Sequence, residues 1–151
     1  MPDLQDLYNQ VILDHYRKPR NFYKLEHANR QADGLNPFCG DKLTVFLLLA
    51  EGILRDISFV GTGCAISIAS ASVMTESLKG KTEAETKIAF ERFHQLVANS
   101  SEAVSDPSAA LGDLGVFSTL REYPVRVKCA TLAWQAMRAA LEGRQQTAST
   151  E

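Results

Sequence analysis

Three cysteines and one aspartate are the residues of this sequence best suited to bind a metal ion. Cys39 and Asp41 lie on either side of a single glycine in the stretch LNPFCGDK, and the other two cysteines are Cys64 and Cys129. Thiolates and carboxylates are both metal ligands. Gly40 allows the backbone to turn so that the side chains of Cys39 and Asp41 face the same ion. The sequence therefore predicts one metal centre from these four residues, provided that the fold brings them together.

An oxygen ligand is unusual beside three sulfur ligands. A structural zinc site normally consists of Cys and His residues alone. A carboxylate is a harder ligand than a thiolate, so it is the weaker partner for a soft or borderline metal. Asp41 therefore indicates a centre that exchanges a ligand, a sulfur atom or an assembled cluster.

Other uses of these residues stay open at this point. A lone cysteine is most often a small buried hydrophobe, and the sequence lacks the paired C-x-x-C spacing of a zinc finger. His15 falls on the apolar face of the first predicted helix, which indicates a packed residue, whereas His27 and His94 stand in polar surroundings. No histidine is close in sequence to a cysteine, so a Cys–His hydrolase is the less favoured alternative.

The elements that must position the centre follow from hydrophobic periodicity and turn residues. Apolar residues at helical spacing predict a first helix over residues 3–17, which Pro19 ends. Two apolar runs, 43–50 and 53–60, flank the dipeptide Glu-Gly and predict a β-hairpin, with a weak edge strand expected within residues 29–34. Further helices are predicted over 64–78, 82–99 and 124–143.

In this arrangement each cysteine lies at or near the boundary of an element. Cys39 lies in the loop before the hairpin, Cys64 begins a helix, and Cys129 lies early in the last helix near Arg126 and Lys128. Unpaired N–H groups at a helix start and neighbouring cations both stabilise a thiolate. All three thiols are therefore expected to ionise more easily than a free cysteine.

Length and composition set the class of protein. A chain of 151 residues fits one domain, predicted over residues 1–143, and the polar tail 144–151 is expected to be disordered. Early strands and late helices predict an α+β domain with helices packed on one face of a small antiparallel sheet. A net charge of −2, with no basic stripe, argues against nucleic acid as a partner.

Hydropathy and cysteine usage indicate the compartment. The sequence has no apolar run of membrane length, and residues 1–16 do not resemble a signal peptide. An odd number of widely spaced cysteines argues against a disulfide framework. We therefore expect reduced thiols, a cytoplasmic location and no membrane partner.

Three long motifs resemble one known family. The stretches NPFCGD, GTGCAISIASASVMTESLKGK and YPVRVKCATLAW, together with ILDHYRKPRN in the first helix, resemble the U-type iron–sulfur assembly proteins, the IscU/SufU family. The resemblance extends from the first helix to about Gly143. It implies an α+β fold with a three-stranded antiparallel sheet and helices packed on one face.

Two features resemble the SufU branch of this family more than the IscU branch. Lys128 stands directly before Cys129, where IscU-type proteins have a histidine, and residues 100–122 form a long segment where those proteins connect more directly. The resemblance to SufU implies a zinc ion bound by the four residues named above. It also implies that sulfur is received from a SufS-type cysteine desulfurase, which carries the pyridoxal phosphate.

The resemblance leaves two functional hypotheses from different classes. The first is a zinc-dependent sulfurtransferase that activates the desulfurase, with Cys39 as the sulfur acceptor because a loop beside glycine can move, and Arg126 as an auxiliary residue. The second is a scaffold on which a transient [2Fe–2S] cluster is built on the same four residues and passed to downstream cluster-assembly proteins. A purely structural zinc site is the third reading, and it would make folding depend on the metal.

Overall fold

The structure, a computed structural model, describes residues 4–37, 40–98, 117, 120, 123–143 and 148–149. Its elements are α1 (Leu4–Arg17), β1 (Arg30–Asn36), β2 (Asp41–Ala50), β3 (Ile53–Thr62), α2 (Ala65–Leu78), α3 (Glu83–Ala98), α4 (Pro124–Leu141) and β4 (Ala148–Ser149). Strands β1, β2 and β3 form an antiparallel sheet with β2 in the middle, which confirms the predicted fold class. None of the helices in the described part of the chain has the length and hydropathy needed to cross a bilayer.

The β2–β3 hairpin has the predicted two-residue turn. Glu51 and Gly52 both have positive φ angles, 56° and 74°, as a type I′ turn requires. The pairing continues to the far end of the hairpin, where Lys42 faces Thr62. The start of β2 and the exit from β3 therefore lie side by side, which brings Asp41 to the beginning of α2.

Strand β1 is longer than the weak edge strand expected within residues 29–34. Its buried positions carry Ala32, Gly34 and Asn36 instead of large apolar residues. A Cβ atom on Gly34 would lie 3.1 Å from the Leu132 side chain and 3.2 Å from Ala136 Cβ. Helix α4 thus lies so close to β1 that only small side chains fit between them, and this weakens the hydrophobic pattern of the strand.

The hydrophobic core lies between the sheet and the helices. Helix α4 packs on β1 and β2, and α2 packs chiefly between α1 and α4, with fewer contacts to β3. Trp134 is buried and stacks on Phe93, with ring centroids 4.5 Å apart. Phe117 and Leu120 are also buried in this core. The rest of segment 100–122 lies outside the described residues.

The predicted tail is described at two positions. Ala148 and Ser149 form β4, which pairs in parallel with Gly34 and Leu35 of β1. The other residues of 144–151 lie outside the described part of the chain. The domain boundary at residue 143 stays a prediction.

Candidate metal centre

Three of the four predicted metal ligands come together in the structure. Asp41 is the first residue of β2, Cys64 directly precedes α2, and Cys129 lies in the second turn of α4. One ligand atom from each lies within 4.8 Å of the others. Asp41 and Cys129 are buried, whereas Cys64 is exposed. The cluster therefore has one side that an approaching partner can reach.

The fourth predicted ligand, Cys39, lies outside the described residues, so its role stays a prediction. The structure does describe both ends of its loop. Asn36 and Asp41 face each other across β1 and β2, and the Gly40 N–H donates to the Asn36 carbonyl at 2.9 Å. Asn36 and Gly40, which flank Cys39 in the sequence, therefore lie beside the cluster.

The carboxylate of Asp41 caps helix α2 from a neighbouring strand. Cys64 is the residue at the N-cap position, and its side chain makes no capping hydrogen bond. The Cys64 N–H instead donates to Asp41 Oδ1 at 3.0 Å, and the Ser67 hydroxyl donates to Asp41 Oδ2. A carboxylate at a helix N-terminus is stabilised both by these donors and by the helix dipole. Because Asp41 provides the cap, the Cys64 thiol is not used as a capping group and stays available as a metal ligand or a nucleophile.

The thiol of Cys64 is set up to ionise near neutral pH. A hydrogen bond from Cys129 is the largest influence and lowers the pKa of Cys64 to about 6. Partial burial opposes this shift, hydrogen bonds from Ser67 assist it, and the negative charge of Asp41 opposes it. Cys64 is therefore largely a thiolate at pH 7 even before a metal ion is considered.

Cys129 lies against groups that the sequence analysis did not single out. Its sulfur faces the side-chain amide of Asn36 at 4.0 Å, and Asn36 is buried at the end of β1. Ser67 is also completely buried, in the first turn of α2. The available signal for Ser67 was a polar residue three positions after Cys64, the predicted start of the helix, because side chains at this spacing interact in capping boxes.

Arg126 lies one helical turn before Cys129 on α4, and the two side chains share a face because of their i, i+3 spacing. The Arg126 guanidinium carbon is 4.7 Å from the centre of the Tyr123 ring. Burial raises the pKa of Tyr8, and the charge of Arg126 and its hydrogen bond to Tyr8 oppose that rise. Arg126 therefore provides a positive charge, fixed between two tyrosines, on the Cys129 side of α4.

The histidines contribute no ligand to this cluster. His15 is buried and its Nδ1 lies 2.7 Å from the Ser72 hydroxyl, as expected of a packed residue. His27 and His94 are exposed, as predicted. In the described part of the chain, the one group with metal-ligand geometry contains Asp41, Cys64 and Cys129.

The chemistry of this donor set fits a zinc ion. Zinc binds thiolate sulfur at about 2.3 Å and carboxylate oxygen at about 2.0–2.2 Å, so ligand atoms of one ion are at most ~4.6 Å apart. The ligand atoms of Asp41, Cys64 and Cys129 lie within 4.8 Å of one another, so small side-chain shifts bring them within the distance that one zinc ion spans. Two thiolates and a carboxylate also bind iron, so the geometry suits a zinc ion and the edge of an iron–sulfur cluster alike.

Comparison with known proteins agrees with this chemistry. Residues 7–130 match the family described as NifU-like N terminal domain. The chain is 40% identical over 135 residues to the zinc-dependent sulfurtransferase SufU of Bacillus subtilis, covering 89% of each protein. It is 32% identical over 145 residues to the iron–sulfur cluster assembly scaffold protein IscU of Streptococcus pyogenes, covering 92% of this chain and 85% of that protein.

A solved structure shows the same fold. A protein from Fervidobacterium islandicum, named as an iron–sulfur cluster assembly scaffold of the SUF system, superposes with a TM-score of 0.80 at 32% identity. The superposition covers 89% of this chain and 96% of that chain. The resemblance to the IscU/SufU family that the sequence motifs carry is thereby confirmed.

Proposed function

We propose, because the chain belongs to the family of NifU-like N terminal domains, that it is a zinc-dependent sulfurtransferase of iron–sulfur cluster biogenesis. In this role it accepts persulfide sulfur from a SufS-type cysteine desulfurase. The observation that carries the proposal is the cluster of Asp41, Cys64 and Cys129, which holds one exposed and two buried donors. The 40% identity to a protein named as a zinc-dependent sulfurtransferase supports it.

Four residues would hold the zinc ion: Cys39, Asp41, Cys64 and Cys129. A bound zinc ion keeps its cysteine ligands deprotonated at neutral pH and protects them from oxidation. Cys39 is two residues from Asp41, which limits the distance between their Cα atoms to about 7 Å. That covalent limit, together with the described ends of the loop, supports Cys39 as the fourth ligand.

Cys39 is the proposed sulfur acceptor. Cys129 is buried inside α4 and Cys64 is fixed at the start of α2, whereas Cys39 belongs to a short loop between two strands. In the transfer, the Cys39 thiolate attacks the terminal sulfur of the desulfurase persulfide. A new sulfur–sulfur bond forms on Cys39, the persulfide bond of the desulfurase breaks, and the desulfurase cysteine leaves as a thiolate. No external oxidant or reductant is needed for this exchange.

Arg126 is proposed to contact the docked desulfurase or to stabilise the anionic centre. It is exposed in the first turn of α4, and its guanidinium is held against the Tyr123 ring. A cation there favours the thiolate forms of the reacting sulfurs. The protein acts with its partner and is not a free-standing catalyst.

The second candidate function is a scaffold on which a [2Fe–2S] cluster is assembled and passed to downstream cluster-assembly proteins. The similarity to a protein named as a scaffold favours it, and the same donors would hold the cluster as cargo. Lys128 before Cys129 and the length of segment 100–122 favour the sulfurtransferase instead. Both functions fit a cytoplasmic protein in which Cys64 and Cys129 are not joined in disulfides.

Metal analysis and persulfide mapping test the proposal together. The chain purified without added iron is expected to contain about one zinc ion, coordinated as above. With a matched SufS-type desulfurase and cysteine, wild type should accelerate desulfuration and Cys39→Ala should not. Mass spectrometry after one turnover should find the extra sulfur on the peptide that contains Cys39.

Two results would redirect the proposal. A persulfide found mainly on the Cys129 peptide would assign the acceptor role to α4. Protein that carries iron and sulfide, and that leaves the desulfurase rate unchanged, would favour the scaffold. Cys129→Ala is the control for loss of metal, because it removes a buried donor while leaving Cys39 in place.

A further inference from the structure

The hydroxyl of Ser67 touches a group from every element of the centre. Ser67 is the third residue of α2 and is completely buried. Its oxygen donates to Asp41 Oδ2, lies 3.5 Å from Cys64 Sγ, and lies 3.3 Å from the carbonyl oxygen of Cys129. One side chain thus joins the start of β2, the start of α2 and the buried part of α4.

A serine hydroxyl has one hydrogen, so it cannot donate to all three neighbours at once. The contact with Asp41 is the shortest of the three, and its acceptor is the charged one. Hydrogen bonds to an ionised acceptor are roughly twice as strong as those between neutral groups. The hydrogen therefore goes to Asp41, and the backbone N–H of Ser67 remains as the Ser67 donor to the Cys64 thiolate.

With this bond, both oxygens of Asp41 are held. Oδ1 accepts from the Cys64 N–H and Oδ2 from Ser67, so the plane of the carboxylate cannot rotate without losing one of them. The backbone at Gly63 also lies close to the Ser67 and Asp41 side chains. A Cβ atom on Gly63 would lie 3.1 Å from Ser67 Cβ and 3.3 Å from Asp41 Oδ1. Groups of the protein itself thus hold the carboxylate in one orientation.

We propose that Ser67 is a positioning residue that orients Asp41 as the oxygen ligand of the metal centre. The inference rests on the proposed function, because it concerns the same metal ion. Partners that orient a metal ligand typically contribute 10- to 100-fold to metal affinity. Without the Ser67 hydroxyl, Asp41 keeps its bond from the Cys64 N–H but can turn, so the ion is held less firmly.

Ser70 provides a matched control on the same helix. It lies one turn further along α2, is also completely buried, and donates to the Ala130 carbonyl of α4 at 2.6 Å. Ser67→Ala and Ser70→Ala both remove a hydroxyl beside α4, but only the first removes a hydrogen bond to Asp41. A general loosening of α2 against α4 would affect both variants alike.

The test measures zinc release from the full chain to a chromogenic chelator under reducing conditions. Ser67→Ala is expected to release zinc about 10- to 100-fold faster than wild type, by the same principle of ligand orientation. Ser70→Ala should release it at the wild-type rate. Ser67→Thr keeps the hydroxyl and should restore slow release.

A second readout needs no metal. In the metal-free protein, the stability losses of Ser67→Ala and Asp41→Asn should be non-additive, because the two side chains share a hydrogen bond. The losses of Ser70→Ala and Asp41→Asn should simply add.

Each outcome has a distinct meaning. Equal zinc release by Ser67→Ala and Ser70→Ala, from a wild type that binds zinc, overturns the positioning role and leaves the proposed function intact. Release as fast from Ser67→Thr as from Ser67→Ala also overturns it, since the hydroxyl would then be irrelevant. If Ser67→Ala does not fold, Ser67→Thr is compared with Ser67→Val, which has the same shape but lacks the hydroxyl; equal zinc release by these two variants overturns the positioning role. A wild type that binds no zinc overturns the proposed function, and this role with it.

Discussion

Replacing Asp41 should separate its helix cap from its proposed role as a metal ligand. In the metal-free protein Asp41 is buried and accepts hydrogen bonds from the Cys64 N–H and the Ser67 hydroxyl. Asp41→Ala leaves both donors without this acceptor. Asp41→Asn keeps a neutral oxygen for the Cys64 N–H, and its NH₂ group can donate to Ser67, which then turns its own hydrogen to the Cys129 carbonyl 3.3 Å away.

The magnitude follows from these contacts. Loss of an N-cap acceptor costs about 0.5–2 kcal/mol, and a buried donor left unsatisfied costs about 1–3 kcal/mol. Removing a buried carboxylate from beside the Cys64 thiolate relieves repulsion and desolvation, which offsets part of that cost. We therefore expect Asp41→Ala to lower the free energy of unfolding by about 2 kcal/mol, and Asp41→Asn by less than about 1 kcal/mol, on these principles.

Urea unfolding of the metal-free protein, with chelator and reductant present, measures this difference. Trp134 is the single tryptophan of the chain and is buried against Phe93, so its fluorescence reports the core. Zinc release is measured on the same variants, and both should release zinc faster than wild type because an amide or methyl group is a poor replacement for a carboxylate ligand. Equal unfolding free energies for the two variants would refute the cap, and slow zinc release from Asp41→Asn would refute the ligand role.

Three further predictions concern the metal, a thiol and the backbone. Chelation of the zinc should leave the far-UV circular dichroism unchanged and lower the melting temperature, because the described hydrophobic core is formed by apolar side chains and not by the proposed metal ligands; complete unfolding would instead favour a structural zinc. Alkylation of Cys64 in the metal-free protein, followed on its peptide, should rise with pH to half its maximum near pH 6, since the thiolate is the reactive form; a midpoint near 8.5 would contradict the lowered pKa. Gly61→Ala should lower the free energy of unfolding by about 3 kcal/mol or more, because its Cβ would lie 2.2 Å from the Lys42 carbonyl oxygen at a φ of 144°. Gly80→Ala is the control, with positive φ but open space around it, and should cost about 1–2 kcal/mol.

The helices and the hairpin could be predicted because local rules decide them. Thr82 and Glu85 have the sequence spacing of a capping box, and the box forms at the start of α3: the Thr82 N–H donates to Glu85 Oε1 at 2.9 Å, and the Glu85 N–H donates to Thr82 Oγ1 at 3.1 Å. The Glu-Gly turn forms at the predicted dipeptide. Strand β1 was hard to predict because its inward positions are small, and that choice depends on how closely α4 approaches. Such an approach is a tertiary property that no local pattern contains.

The candidate site also has a part that the sequence predicts and a part that it does not. The meeting of Asp41, Cys64 and Cys129 follows the sequence interpretation, in which the segment before the hairpin carries Asp41 and the starts of two helices carry Cys64 and Cys129. The roles of the serines could not. The small residues of α2 allow it to pack closely between α1 and α4, but Ser67 and Ser70 also donate hydrogen bonds to partners far away in sequence. The rotation of α2 about its axis decides that Ser67 contacts the site, whereas Ser70 bonds only to the neighbouring helix α4.

The hydrogen bonds of Asp41 give a physical reason why an aspartate, and not a cysteine or a histidine, stands at this position of the proposed metal centre. A cysteine at that position would be a stronger zinc ligand, but sulfur is a weak acceptor and would leave the Cys64 N–H and the Ser67 hydroxyl poorly satisfied. A histidine has one free acceptor atom at most, so it could not hold both donors while binding metal. A carboxylate has two oxygens with two lone pairs each, so it can cap α2 and still bind an ion. Because the Cys64 N–H and the Ser67 hydroxyl belong to the protein itself, Asp41 keeps two hydrogen-bond donors whether or not an ion is bound, and it is not left as an uncompensated buried charge.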